Sequence, residues 1–166
     1  MRVEPLSAGP LDETAVMRIV ERGLRKEDEK ECWVVGKSPL ATLTERLSSD
    51  YPSYAVWGTV DGCPSPVGAF GISEGGAIWS LWTNDLDGPM KRCILRNTKA
   101  WVLRLLDSVG LTGAGNYVLD SNKLAIQWLK ASGCFIIAAE TDKVGEARQT
   151  MRYFQTVPLK WLRAHV

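Results

Sequence analysis

Apolar positions along the chain change their spacing several times, and each change marks an element. Residues 1–6 alternate as a first strand, and over 14–24 Val16, Ile19, Val20 and Leu24 recur at helical spacing. Residues 25–31 are a dense mixed-charge run with Lys26 and Lys30, and Glu27 and Glu31, four apart. The run predicts a second helix with a solvated face, leading into Cys32 and Trp33. Ser38 followed by Pro39 is an N-cap and first-turn pair, and Leu40, Leu43 and Leu47 form the stripe of a third helix closed by Tyr51-Pro52. From Tyr54 the period becomes two. Residues 54–60, an Asp61-Gly62 turn and residues 66–73 predict a hairpin loosened by Pro64 and Pro66. Gly75-Gly76 leads into a strand over 77–83, with Trp79 and Leu81 on one face and Ile78 and Trp82 on the other, so both faces should be covered.

After a loop at 84–88, residues 89–109 predict the longest helix, with Ile94, Trp101, Val102, Leu105 and Val109 as its stripe and Gly110 as its stop. Residues 117–119 return to strand, residues 120–122 offer cap oxygens, and Leu124, Ala125, Trp128 and Leu129 share one helical face. Gly133 ends that helix before strands over 134–139 and 150–157. The order is β-α-α-α-β-β-β-α-β-α-β-β. Residues 158–166 remain as a short tail, apolar over Pro158-Leu-Lys-Trp-Leu162.

Composition narrows the chemistry. At 166 residues with 45% hydrophobic content, the chain should bury roughly 70% of its unfolded surface as one domain, 1–166. Twenty basic and nineteen acidic residues leave a net +1, without the bulk charge that draws proteins to nucleic acid or anionic lipid. Apolar runs fall far short of a bilayer span, and the polar start has no signal-peptide core, so the expectation is a soluble protein made inside the cell. Cys32, Cys63, Cys93 and Cys134 lie too far apart for a zinc knuckle and read as reduced thiols; no metal is expected. His165, the single histidine, stands next to the C-terminus, which makes His-based hydrolases and metalloenzymes poor readings. Acid–base work would fall to carboxylates, Tyr or Cys.

The stretch Asn-Tyr-Val-Leu-Asp-Ser-Asn-Lys-Leu-Ala-Ile-Gln-Trp-Leu-Lys-Ala-Ser-Gly-Cys-Phe, 116–135, reads strand, cap, helix, Gly stop, strand. It resembles the end of the GNAT superfamily of acyl-CoA-dependent N-acyltransferases, and the element order extends that resemblance over nearly the whole chain. It implies an α/β fold with a GNAT-like mixed central sheet of six to seven strands and helices on both faces. The pieces Leu24-Arg-Lys-Glu-Asp-Glu-Lys-Glu31, Val60-Asp-Gly62, Gly68-Ala-Phe-Gly71, Ile78-Trp-Ser-Leu-Trp-Thr83 and Ala125-Ile-Gln-Trp-Leu-Lys130 further resemble a phage branch, the internal-virion-protein-A family of short-tailed phages, often labelled acetyltransferase-like. That branch implies a virion-associated or assembly protein, made in the host cytoplasm, whose partners are virion proteins or itself.

Two GNAT motifs are broken. The resemblance places a basic, Gly-rich, pyrophosphate-holding turn at Thr83-Asn-Asp-Leu-Asp-Gly-Pro-Met-Lys-Arg92, which has one Gly, a Pro in place of a donor, and Asp85 and Asp87 against only Lys91 and Arg92. The turn reads better as a helix end capped by its own Asp. The Tyr expected seven residues after Asn122 is Leu129, which cannot donate a proton. Tyr117 and Tyr153 are possible substitutes and Glu74 a possible base, though each reads equally well as core or solvated turn. If acetyl-CoA binds, Trp82, Thr83, Lys91, Arg92 and Asn122 are the residues implied; Asn122 serves equally as a helix cap.

Arg92, Arg96 and Lys99 form a basic stripe that would meet phosphate, RNA or an acidic neighbour, with nucleic acid the weaker choice. Seven Trp exceed what one core needs; Trp57, Trp79, Trp82, Trp33 and above all Trp161 are candidates for a docking surface. The sequence therefore points to a GNAT-like assembly protein with weakened or lost catalysis. The alternatives are a working acetyltransferase, acting by proximity along strands 79–83 and 117–119, and a small host-protein binder.

Overall fold

A computed structural model describes residues 1–6, 10–140 and 150–164. The elements are β1 (Arg2–Leu6), α1 (Pro10–Glu21), α2 (Lys26–Val34), α3 (Pro39–Leu47), β2 (Ser53–Val60), β3 (Cys63–Ser73), β4 (Ala77–Trp82), α4 (Gly88–Val109), β5 (Gly115–Leu119), α5 (Lys123–Ala131), β6 (Cys134–Glu140), β7 (Met151–Thr156) and α6 (Leu159–Ala164). The order expected from the sequence is kept, with shifted boundaries. α1 runs Pro10–Glu21 where the spacing predicts 14–24, leaving Leu24 outside it, and residues 159–164 of the expected tail form a helix.

Seven strands form one mixed sheet in the order β1-β2-β3-β4-β5-β7-β6. The first four are an antiparallel meander, β4 and β5 run parallel, and β7 inserts antiparallel between β5 and β6. β3 starts at Cys63, three residues before the expected 66, so Pro64 as well as Pro66 lies inside it. They are tolerated because β3 pairs with β4 only from Gly68 onward, so residues 63–66 form an edge on that side.

The faces are covered as the alternation in β4 implies. Val16, Ile19, Leu24, Cys32 and Leu43 of the α1–α3 region pack on Ala55, Ala69 and Leu81. On the other face α4 and α5 bring Ile94, Val102, Leu105, Ile126 and Leu129 onto Phe70, Ile78, Trp82, Val118 and Phe154. Phe70 stacks between Tyr54 and Trp101 at centroid distances of 5.4 and 4.9 Å. Leu40, read as part of the buried α3 stripe, is exposed; only Leu43 of that stripe reaches the core, and the Leu47 side chain lies outside the described residues. Among the described residues no helix is long and apolar enough to cross a membrane, and no acidic, His or Cys cluster is arranged for a metal.

Candidate functional site

The site begins where the sheet comes apart. β4 and β5 pair at one position, Ala77 with Gly115, and the Asn116 amide extends the join by donating to the Ile78 carbonyl at 2.9 Å. Beyond that point the strands diverge, and a cavity of 790 Å³ fills the gap. Its walls are largely aromatic and aliphatic: Phe70, Trp82, Trp101, Leu105, Trp128 and Phe154 among them. A cavity of this size and character falls within the range that ligand sites occupy.

Two carboxylates from α2 close one side of the gap. Asp28 and Glu31 are three residues apart and therefore share a helix face. Asp28 Oδ2 accepts the Trp82 N–H of β4 at 2.9 Å, and Glu31 Oε1 accepts the Leu119 N–H of β5 at 3.1 Å. Each strand end thus bonds to a side chain where the other strand would have been. Arg25 grips Asp28 through Nε (2.9 Å) and Nη2 (2.5 Å), and the Arg25 N–H donates to the Trp82 carbonyl at 2.8 Å. The start of α2 is in this way tied to the end of β4.

Asn122 completes the group. Its Oδ1 accepts the Ala125 N–H at 3.2 Å as the cap of α5, while Nδ2 donates to Glu31 Oε1 at 3.0 Å and to Asp28 Oδ1 at 3.4 Å. With 1% of its surface exposed, the amide has every polar atom occupied. Burial pushes the Glu31 carboxyl up from its ordinary 4.5 to about 7; the Asn122 and Leu119 hydrogen bonds hold it back, Asp28 pushes it further and Arg25 opposes. Near neutrality Glu31 is divided between acid and carboxylate.

The residues singled out in the sequence scatter around this group. Trp82 forms part of the cavity wall and its indole donates to Ser80 Oγ at 3.1 Å, whereas Thr83 is fully buried and donates to the Val67 carbonyl at 3.2 Å, turned away from any ligand. Lys91 and Arg92 are exposed at the cavity mouth. Tyr117 and Tyr153 face each other across β5 and β7 with centroids 5.2 Å apart. They border a smaller cavity of 330 Å³ at the closed end of the strands, and only Tyr117 also reaches the large one. Glu74 is exposed in the 3-10 turn between β3 and β4 and lines neither cavity.

Arg96 is exposed on α4, Lys99 is half-buried beside it, and Trp33 is 57% exposed. Trp57 and Trp79 are half-buried under the guanidinium groups of Arg2 and Arg46, at 5.2 and 5.7 Å. Trp161 lies on α6 with its side chain outside the described residues, as does His165 altogether.

The start of α4 does not fit a pyrophosphate. Asp87 Oδ1 accepts the Met90 N–H at 2.7 Å, Pro89 has no N–H, and the one glycine, Gly88, is not part of a cluster. Asp85 is tied to Arg22 at 3.0 Å. An arriving phosphate would meet a filled cap and a second acid.

The mixed-charge run that holds Asp28 and Glu31 predicts a solvated face, yet Asp28 is 2% exposed and both carboxylates turn to the strand ends. The signal for their burial is the set Asp28, Glu31, Cys32 at i, i+3 and i+4: one face of α2, two of its positions acidic.

No protein-family profile and no curated sequence matches the chain. Solved structures do. An acetyltransferase of the GNAT family from Bacillus anthracis superposes with a TM-score of 0.68 at 10% identity, over 96% of both chains. An N-acetyltransferase from Staphylococcus aureus Mu50 gives 0.64 at 10% identity, over 96% of this chain and 99% of that one. The spermidine N-acetyltransferase of Vibrio cholerae, solved with CoA and spermine, gives 0.63 at 10% identity over 97% and 98%. At such identities the likeness is one of architecture, and the chain has the GNAT acetyltransferase fold.

Proposed function

We propose that this chain is a GNAT-fold protein that has given up acyl transfer and serves in the assembly or make-up of a phage particle. One observation carries the first half: the N–H groups of Trp82 and Leu119, at the open ends of the diverging strands, are already bonded to Asp28 and Glu31. A ligand threading between the strands would have to displace two carboxylates from these N–H groups, one gripped by Arg25 and the other held by Asn122. The capped start of α4 and Leu129 in place of the expected Tyr support the same reading. The ordered likeness of five sequence pieces to the internal-virion-protein-A family supports the second half.

Calorimetric titration with acetyl-CoA tests the loss of transfer. No heat of binding up to about 1 mM is expected, and micromolar binding weakened by Asn122→Ala would overturn it. Mass spectrometry of purified particles and assembly intermediates tests the assembly role, which absence of the chain from both would sink.

A working acetyltransferase is the second reading, favoured by Glu31 alone. A carboxyl with a pKa of about 7, in a cavity, is poised to take a proton from an amine. Acetyl transfer to any amine that vanishes in Glu31→Gln would establish it.

A further inference from the structure

We propose that the slot between α4 and α5 is a docking site for an acidic amphipathic helix of another protein. The inference deepens the assembly reading by giving the chemistry of the partner, and it rests on that reading.

The lining of the large cavity includes exposed residues on both helices, Lys91, Arg92 and Leu95 on α4 and Leu124, Gln127 and Ala131 on α5, besides Val35, Lys37 and Tyr117 elsewhere. Leu95 is 45% exposed and Leu124 51%, so each bank presents a large aliphatic side chain to solvent beside an apolar cavity. Behind them stand Trp101 and Trp128, and the Trp128 indole N–H is buried without an acceptor. Such a donor is costly to leave unmet, and a group entering the slot can meet it.

Charge identifies the occupant. α4 carries five bases and α5 two, against the single acid Asp107: a net +6 on two helices of a chain whose total is +1, so the remaining residues sum to −5. On the helix surface Leu95 has Lys91 and Arg92 one turn before it and Lys99 one turn after. Among the described residues the acids near this end are Asp85, paired with Arg22; Asp87, the charged cap of α4; Asp120, shared by Lys123 of α5 and Arg152; and, on the inner wall, Asp28 and Glu31, held by Arg25 and Asn122. Asp107 pairs with Arg163 of α6 toward the far end of α4.

An apolar slot between basic banks matches a helix with one aliphatic stripe flanked by Asp and Glu, its apolar anchors seated in the cavity mouth. Nucleic acid would meet the same bases, but it has no aliphatic side chains for Leu95 and Leu124, and neither bank carries an exposed aromatic for base stacking.

Fluorescence anisotropy with three labelled 20-residue peptides decides the matter: a Leu/Glu amphipathic helix, the same design with Lys for Glu, and a scrambled Leu/Glu sequence. The Leu/Glu helix should bind at least about tenfold more tightly than either control and weaken as salt rises from 50 to 300 mM, as contacts between exposed charges do. Leu95→Asp and the double variant Lys91→Glu with Arg92→Glu should each cost about tenfold, with circular dichroism and melting unchanged because all three sites are exposed. Equal binding of the scrambled or Lys peptide, indifference to these variants, or no binding at all would overturn the proposal. So would self-association of the chain with the same variant sensitivity, which would make a second copy the occupant. Acetyl-CoA in a parallel titration keeps the two readings apart. Cofactor binding without peptide binding overturns both; binding of neither overturns the slot alone.

Discussion

Glu31 and Asp28 are three residues apart and chemically alike, yet their surroundings differ. Asp28 faces Arg25, so its charge has a partner within 2.5 Å, and a buried carboxylate so paired resists separation. Glu31 has hydrogen-bond donors but no cation of its own, and burial raises it to about 7. The consequence for stability has a definite sign. Between about 4.5 and 7 the folded chain holds a proton that the unfolded chain has released, so this group makes stability fall as pH rises through that window. Above it the cost approaches about 3 kcal/mol, taking 1.36 kcal/mol per unit as an upper bound. Glu31→Gln keeps an oxygen for the Leu119 and Asn122 donors and cannot ionise. Its melting temperature at pH 8 should exceed that of the parent by roughly 5 °C, with the gap closing toward pH 5. A gap of the same size at both pH values would show that Glu31 is not titrating in the folded state.

At the scale of elements, the caps were the most legible features. Ser38, Asp87 and Asn122 each accept the N–H three residues on, at 3.1, 2.7 and 3.2 Å, as their residue types and positions imply. Asp87 is the informative one, because the same helix end is where a cofactor phosphate was in question. Asp87→Ala should lower stability by about 1 kcal/mol, visible as a drop of a few degrees in the melt. A variant that melts unchanged would mean the cap contributes nothing and the helix end is open to another anion.

Strands and their faces were also readable from period alone, since alternation in β4 depends on what covers the sheet locally. The Asp28–Glu31 bridge was not. Whether a charged residue at an inward helical position is buried depends on what the opposing element lacks. Here that is the pair of strand hydrogen bonds lost where β4 and β5 diverge, which no local pattern records. The α6 helix escaped for the related reason that residues 159–164 are too few for a periodic signal, and α6 packs against α4, far away in sequence.

For the whole molecule, the sum of charges hides their arrangement. A net +1 argues against attraction to polyanions only if the charges are mixed, and they are not: α4 and α5 together hold +6 and all other residues −5. A protein so divided presents opposite potentials to its neighbours over distances comparable to the Debye length, about 10 Å at 0.1 M salt. Such a separation gives a charged neighbour a preferred direction of approach before any apolar contact forms. It also has a signature independent of any partner. At pH 7 and about 20 mM salt the chain should be retained by both cation- and anion-exchange media despite its near-zero net charge, and released from each by about 0.2–0.3 M salt as screening sets in. Lys91→Glu with Arg92→Glu should abolish retention on the cation exchanger and strengthen it on the anion exchanger. Loss from both in the double variant would point to unfolding, which the melt reports separately. Failure of the parent to bind the cation exchanger at low salt would mean that the acids elsewhere in the fold reach round to cancel the α4–α5 face, and the directional approach would go with it.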